Sequence, residues 1–69
     1  METIEITVNN KIHVIPQGTT LGEFVTQERI PSKGTAIAIN GRVVRQSDWG
    51  NRPLCHRDAL VVISAAYGG

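Results

Sequence analysis

The sequence predicts an α+β roll, a mixed sheet of about five strands with one helix packed across it. Three observations carry that prediction. β-Branched residues alternate with polar ones at the start of the chain, a single short stretch of helical spacing follows, and the most apolar run comes last. A closing apolar run belongs in the middle of a sheet, where at least one face is covered. The 69 residues allow one domain, and a domain of this size buries only roughly 60% of the surface its unfolded chain exposes.

Each element has its own signal. In TIEITV, Ile4, Ile6 and Val8 alternate with Thr3, Glu5 and Thr7, the period of a half-buried strand. Asn9 and Asn10 tolerate positive φ and fit a tight turn. KIHVI then resumes the alternation through Ile12 and Val14, which puts His13 on the opposite, solvated face. Pro16 and Gly18 end that strand. Thr20 and Glu23 have capping-box spacing, and Leu21, Phe24 and Val25 fall on one helical face. The helix spans two to three turns with Phe24 as its anchor, and Ile30–Pro31 followed by Gly34 stops it. A helix so short must pack on the sheet to persist.

The second half begins with the strongest local cue, Asn40–Gly41 between the apolar runs Ala36–Ile39 and Val43–Val44, which reads as a hairpin. QSDWGNRPL is irregular: Ser47 or Asp48 caps a single turn and Trp49 folds over one edge of the core. His56–Asp58 is a turn, and Leu60–Ile63 is the closing strand. Placed centrally beside the first strand, that strand completes a ubiquitin-like, or β-grasp, roll and aims the chain's end away from the domain. The expected division is a β-grasp domain at 1–65 and a flexible tail at 66–69.

Composition excludes several function classes. Seven basic and six acidic residues give a net charge of +1. There is no basic run and little aromatic content, so the marks of nucleic-acid binding are missing. No apolar run is long enough to span a membrane, and METIEITVNN lacks the basic-then-apolar order of a signal peptide. The expectation is a soluble, cytoplasmic protein. Cys55 is the one cysteine; it reads as a small apolar filler in a reducing compartment, since a neighbour such as His56 points away from it. His13 has no companion cluster that would make it a metal ligand. Trp49 reads as structural. Arg42, Arg45, Arg52 and Arg57 read as solvated charges that could meet an acidic partner. No nucleophile–base pair, metal set or phosphate-binding glycine loop is visible, so an enzyme reading has no support.

The chain closes on AAYGG. Glycine without Cβ leaves a carbonyl open to attack and a thin backbone that bends freely. From Ala65 the tail reaches on the order of 16 Å, at about 3.3 Å per residue, enough to thread a buried active site. A carboxylate is inert, but an acyl adenylate is not: AMP leaves easily, and a sulfur nucleophile that replaces it produces a thiocarboxylate.

ITVNN, GTTLGEFV, AIAINGRVVRQSDW and DALVVISAAYGG together resemble the sulfur carrier proteins of thiamine biosynthesis, the ThiS type, over nearly the whole chain. The middle stretch is the most specific. Asn10, Arg57 and Tyr67 depart from the family pattern, which favours Gly at the first two places and a smaller residue at the third. The resemblance implies a protein co-substrate rather than an enzyme. Gly69 would carry the sulfur, with Gly68, Tyr67 and Ala66 as the tail that partners recognise. It further implies adenylation with ATP by an E1-like adenylyltransferase (ThiF type), sulfur from a persulfide donor, and delivery to a thiazole synthase (ThiG type). No cofactor is held tightly, and the carrier alone is a monomer. Three alternatives share much of this sequence logic: a molybdopterin-type sulfur carrier, a ubiquitin-like protein modifier, and an interaction module whose tail is inert.

Overall fold

The structure is a computed structural model and describes residues 2–64. Its elements are β1 (Thr3–Val8), β2 (Lys11–Pro16), helix α1 (Leu21–Gln27), β3 (Thr35–Ile39), β4 (Arg42–Val44), the 3-10 helix η1 (Gln46–Asn51) and β5 (Ala59–Ser64). One five-stranded sheet runs in the order β2-β1-β5-β3-β4. β5 is parallel to β1 and antiparallel to β3, so the sheet is mixed and its last strand is central, as expected. The expected boundary between 65 and 66 lies outside the described residues. Among the described residues, no helix is long and apolar enough to cross a membrane.

Both hairpins close through two residues of positive φ: Asn9 (50°) with Asn10 (71°), and Asn40 (53°) with Gly41 (84°). That geometry matches the twist of the flanking strands. It also corrects the facing of β2. A two-residue turn pairs Val8 with Lys11, and hence Ile6 with His13 and Ile4 with Ile15. Directly paired residues share a face, so His13 points inward with Ile6, not outward. Its ring meets Phe24 edge-on, centroids 5.5 Å apart. Ile12 and Val14, read from alternation as the buried pair, lie on the open face at 68% and 63% exposure, while Ile15 is buried.

The core fills one side of the sheet. Ile4, Ile6, Val8, Ile15, Ile37, Ile39, Leu60 and Val62 come from the strands; Leu21, Phe24, Val25 and Ile30 cover them from the helix side. Thr20 caps α1 as expected. Its Oγ1 accepts from the Glu23 N–H at 3.1 Å, and Glu23 Oε1 accepts from the Thr20 N–H at 2.9 Å. The helix ends before Ile30–Pro31. Arg29 adopts φ 55°, its N–H reaches the Thr26 carbonyl, and the Ile30 N–H reaches that of Val25. This is a Schellman stop, sealed by the apolar contact it normally includes: Val25 and Ile30 are both in the core.

Trp49 lies over the core edge, 5% exposed, and its Nε1–H donates to the Val44 carbonyl at 3.0 Å. Its helix η1 begins at Arg45 with no side-chain cap, so neither Ser47 nor Asp48 caps it. The helix backbone passes close to η1 at Gly22, where an added Cβ would stand 3.2 Å from Gly50 backbone atoms. Residues 52–54 then run beside the α1 entry: the Leu21 N–H donates to the Arg52 carbonyl and the Leu54 N–H to that of Thr19. Leu54 is buried there.

Candidate functional site

The residues expected to react, 66–69, follow β5 in the chain, so the site is built from what holds that strand. Leu60 and Val62 anchor it to the core, while Val61 and Ile63 face outward. On one side β3 pairs with it along its length, from Ile39 opposite Leu60 to Thr35 opposite Ser64. On the other side the parallel ladder to β1 covers Thr7–Ala59 and Val8–Leu60.

Two turn asparagines extend these seams. The Asn9 N–H donates to the Leu60 carbonyl. Its side chain then takes both backbone groups of Val62, Oδ1 accepting from the N–H at 2.9 Å and Nδ2 donating to the carbonyl at 3.2 Å. Asn40 holds Ala59 on the other side of the strand, with its backbone and its side chain together. Its N–H donates to the Ala59 carbonyl at 2.8 Å, and Oδ1 accepts from the Ala59 N–H at 3.0 Å. Its Nδ2 donates to Asp58 Oδ1 at 3.0 Å. An amide side chain satisfies backbone donor and acceptor together because it carries both groups.

Asp58, at the strand's entry, is 5% exposed. Its second oxygen accepts from the Cys55 N–H at 2.8 Å and lies 3.7 Å from an Arg52 nitrogen. A buried carboxylate is tolerated when its lone pairs are filled in this way. The sequence reading missed Asn9, Asn40 and Asp58 as holders of β5. The available signals were an acid directly before an apolar strand and asparagine at both hairpin turns.

The remaining candidates fall out as follows. Gly69, Gly68, Tyr67 and Ala66 lie outside the described residues. Cys55 is exposed, which corrects its reading as an apolar filler; the 55–58 turn spends its backbone on Asp58 and leaves the thiol outside. His56 does not serve that thiol: its Nδ1 accepts from the Glu5 N–H at 3.1 Å. Among the described residues no group of three or more His, Cys, Asp or Glu gathers to hold a metal ion. Arg42, Arg45 and Arg52 line one hollow beside β4, whereas Arg57 sits in the turn before β5 at φ 71°. What the arrangement offers chemically is a firmly held central strand. The chain beyond Ser64 starts from the end of that strand.

Comparison with known proteins gives two findings. The ThiS family pattern matches residues 2–69. Among solved structures, the chain is similar to a thiamine biosynthesis protein (ThiS) from Geobacter metallireducens, with a TM-score of 0.79 and 17% identity. The match covers 96% of this chain and 100% of that one; at that identity it speaks for the shared roll. No curated protein matches the sequence.

Proposed function

Because the chain belongs to the ThiS family, we propose that it is a sulfur carrier of thiamine biosynthesis whose sulfur is borne on Gly69. Members of this family are small carriers on which partner enzymes act. The observation that carries the reading is the position of β5. The strand that leads to the tail is central, paired on both sides and tied by Asn9 and Asn40. A partner that grips the domain thereby holds the end of β5, from which the tail follows in the chain.

The chemistry follows from the group at the end. A carboxylate oxygen of Gly69 attacks the α-phosphorus of ATP on a ThiF-type enzyme, and pyrophosphate leaves. The terminal sulfur of a persulfide donor attacks the carbonyl carbon and expels AMP, leaving an acyl disulfide. A thiol then attacks the donor-side sulfur, forms a disulfide with it and releases the acyl group's sulfur. The resulting thiocarboxylate is the nucleophile used by a ThiG-type thiazole synthase. ATP belongs to the partner, and the carrier holds no cofactor tightly. Gly68 and Gly69 give no side chain to clash in a narrow channel, while Tyr67 and Ala66 are the positions a channel mouth would read. The domain, residues 1–65, acts as the grip and residues 66–69 as the arm it presents.

The test is intact mass after incubation with a thiamine-pathway adenylating enzyme, ATP and a sulfide source. The expected gain equals one oxygen exchanged for one sulfur, localised to Gly69. An unchanged mass, with the enzyme active on its own carrier, would overturn the thiamine assignment. An isopeptide-linked product would instead identify a protein modifier.

A further inference from the structure

Charge in this chain is unevenly distributed. Residues 1–39 carry Glu2, Glu5, Glu23 and Glu28 against Lys11, Arg29 and Lys33. Residues 40–69 carry Arg42, Arg45, Arg52 and Arg57 against Asp48 and Asp58. A net charge of +1 therefore hides a basic second half. The fold concentrates it further. Arg42 opens β4, Arg45 is the N-cap of η1 and Arg52 its C-cap, so the last two stand at either end of one short helix. All three line the same hollow of about 560 Å³, together with Ile39, Val43, Val44, Asp48 and Asn51.

These arginines differ in how they are held. Arg52 is half-buried, with its guanidinium beside Asp58 and donating to the Pro53 carbonyl. It is thus oriented before anything binds, which lowers the entropy a ligand must offset. Arg42 and Arg45 are exposed, and among the described residues neither forms an ion pair. Asp48, the acid in the lining, forms none either. Three guanidiniums around a partly apolar hollow present fork-shaped donors that match carboxylates in pairs. Its guanidiniums are spread from the edge strand β4 to both ends of η1, which suits a segment bearing several carboxylates better than a compact anion.

We propose that this hollow binds an acidic segment of a partner protein, with Arg42 and Arg45 as the recruiting charges and Arg52 as the fixed one. Carboxylates spaced along that segment pair with the guanidiniums, and its apolar positions cover Val43 and Val44. Such complementarity acts on encounter rate and partner choice more than on the final affinity. That the partner is the enzyme receiving Gly69 rests on the proposed function; the site itself does not.

Two measurements test this. In the first, a peptide of six glutamates is titrated into the labelled protein and the backbone amide and arginine Nε–H signals are followed by NMR. Shifts at Arg42, Arg45 and Arg52 that fade with salt, with the Arg52 shift lost in R42E/R45E, are expected. Equal shifts at Lys11, Lys33 and Arg29, no shifts at all, or inorganic phosphate competing at lower concentration than the peptide would each overturn the site. In the second, thiocarboxylation by the ThiF-type enzyme is compared for R42E/R45E and K11E/K33E, which carry the same charge change. The expected result is a KM raised at least tenfold for the first pair alone, with kcat kept. Equal effects would reduce the idea to net charge. If the wild-type chain accepts no sulfur, the carrier reading fails, and the peptide titration still decides the site.

Discussion

Asn9 performs three tasks at one position. It turns the chain at positive φ, donates from its backbone to Leu60, and substitutes its side chain for the missing ladder partner of Val62. The N9G variant separates these tasks, since glycine keeps the turn and loses only the side-chain bonds. It should cost about 1–2 kcal/mol, at roughly 1 kcal/mol per hydrogen bond, and speed exchange of the Val62 amide. Unchanged urea unfolding would mean those bonds contribute nothing net. Asp58 is a harsher case because it is buried. In D58A the Cys55 N–H, the Asn40 amide and Arg52 lose their shared acceptor. Leaving such groups unsatisfied should cost about 2–3 kcal/mol, read from the denaturation midpoint. Neither role is legible in the string, where both residues look like ordinary turn formers. His13 is a third instance: its facing depends on which residues Asn9 and Asn10 bring opposite each other, and alternation alone does not say.

At the scale of elements, α1 illustrates how local signals and packing combine. Its entry was legible, because the capping box is a fixed spacing of Thr20 and Glu23. Its exit was legible from Ile30–Pro31, but the form of the stop was not: Arg29 takes a left-handed conformation more usual for glycine, and what holds it there is the burial of Ile30 against Val25. The helix is seven residues long and depends on Phe24, which is 1% exposed. F24A should destabilise by about 3–5 kcal/mol. Stability on the order of 0.05–0.15 kcal/mol per residue makes that loss comparable with the whole. A denaturant melt unchanged by F24A would contradict the packing described. G22A tests the α1–η1 approach. Alanine gains about 1 kcal/mol of helix propensity, but its Cβ would press on the backbone of Gly50 and Trp49. With overpacking costing about 1–3 kcal/mol, a net loss near 1 kcal/mol is expected. A stabilised G22A in thermal unfolding would show that η1 moves aside easily.

For the whole molecule, the sheet order decides how function is arranged. The most apolar strand lies between β1 and β3, and the helix covers one face only. Along β5 this leaves Val61 and Ile63 outward and Leu60 and Val62 inward, so an apparently continuous apolar run is in fact two faces with different surroundings. Deleting Gly69 should leave the melting temperature within error and abolish the mass gain. A variant that still accepts sulfur would end the carrier reading, and one that unfolds would show that the tail belongs to the domain. The basic hollow beside β4 lies on the sheet's edge, where Val44 lines up with Ile37 and Val62 across the strands. A partner seated there is separated from β5 by β3 alone.

The sequence alone determined the element order, the α+β class, the central place of the last strand, the capped entry of α1, both hairpin turns and the family. These are set by spacings of a few residues or by a total pattern carried along the string. Tertiary structure decided which face of β2 is buried, how α1 is closed at Arg29, that Cys55 is outside, and that Asn9, Asn40 and Asp58 hold β5. It also gathered Arg42, Arg45 and Arg52 around one hollow. The reason is physical: strand pairing joins Asn9 to Val62 across more than fifty residues, and no local preference of either residue encodes which partner the sheet will bring to it.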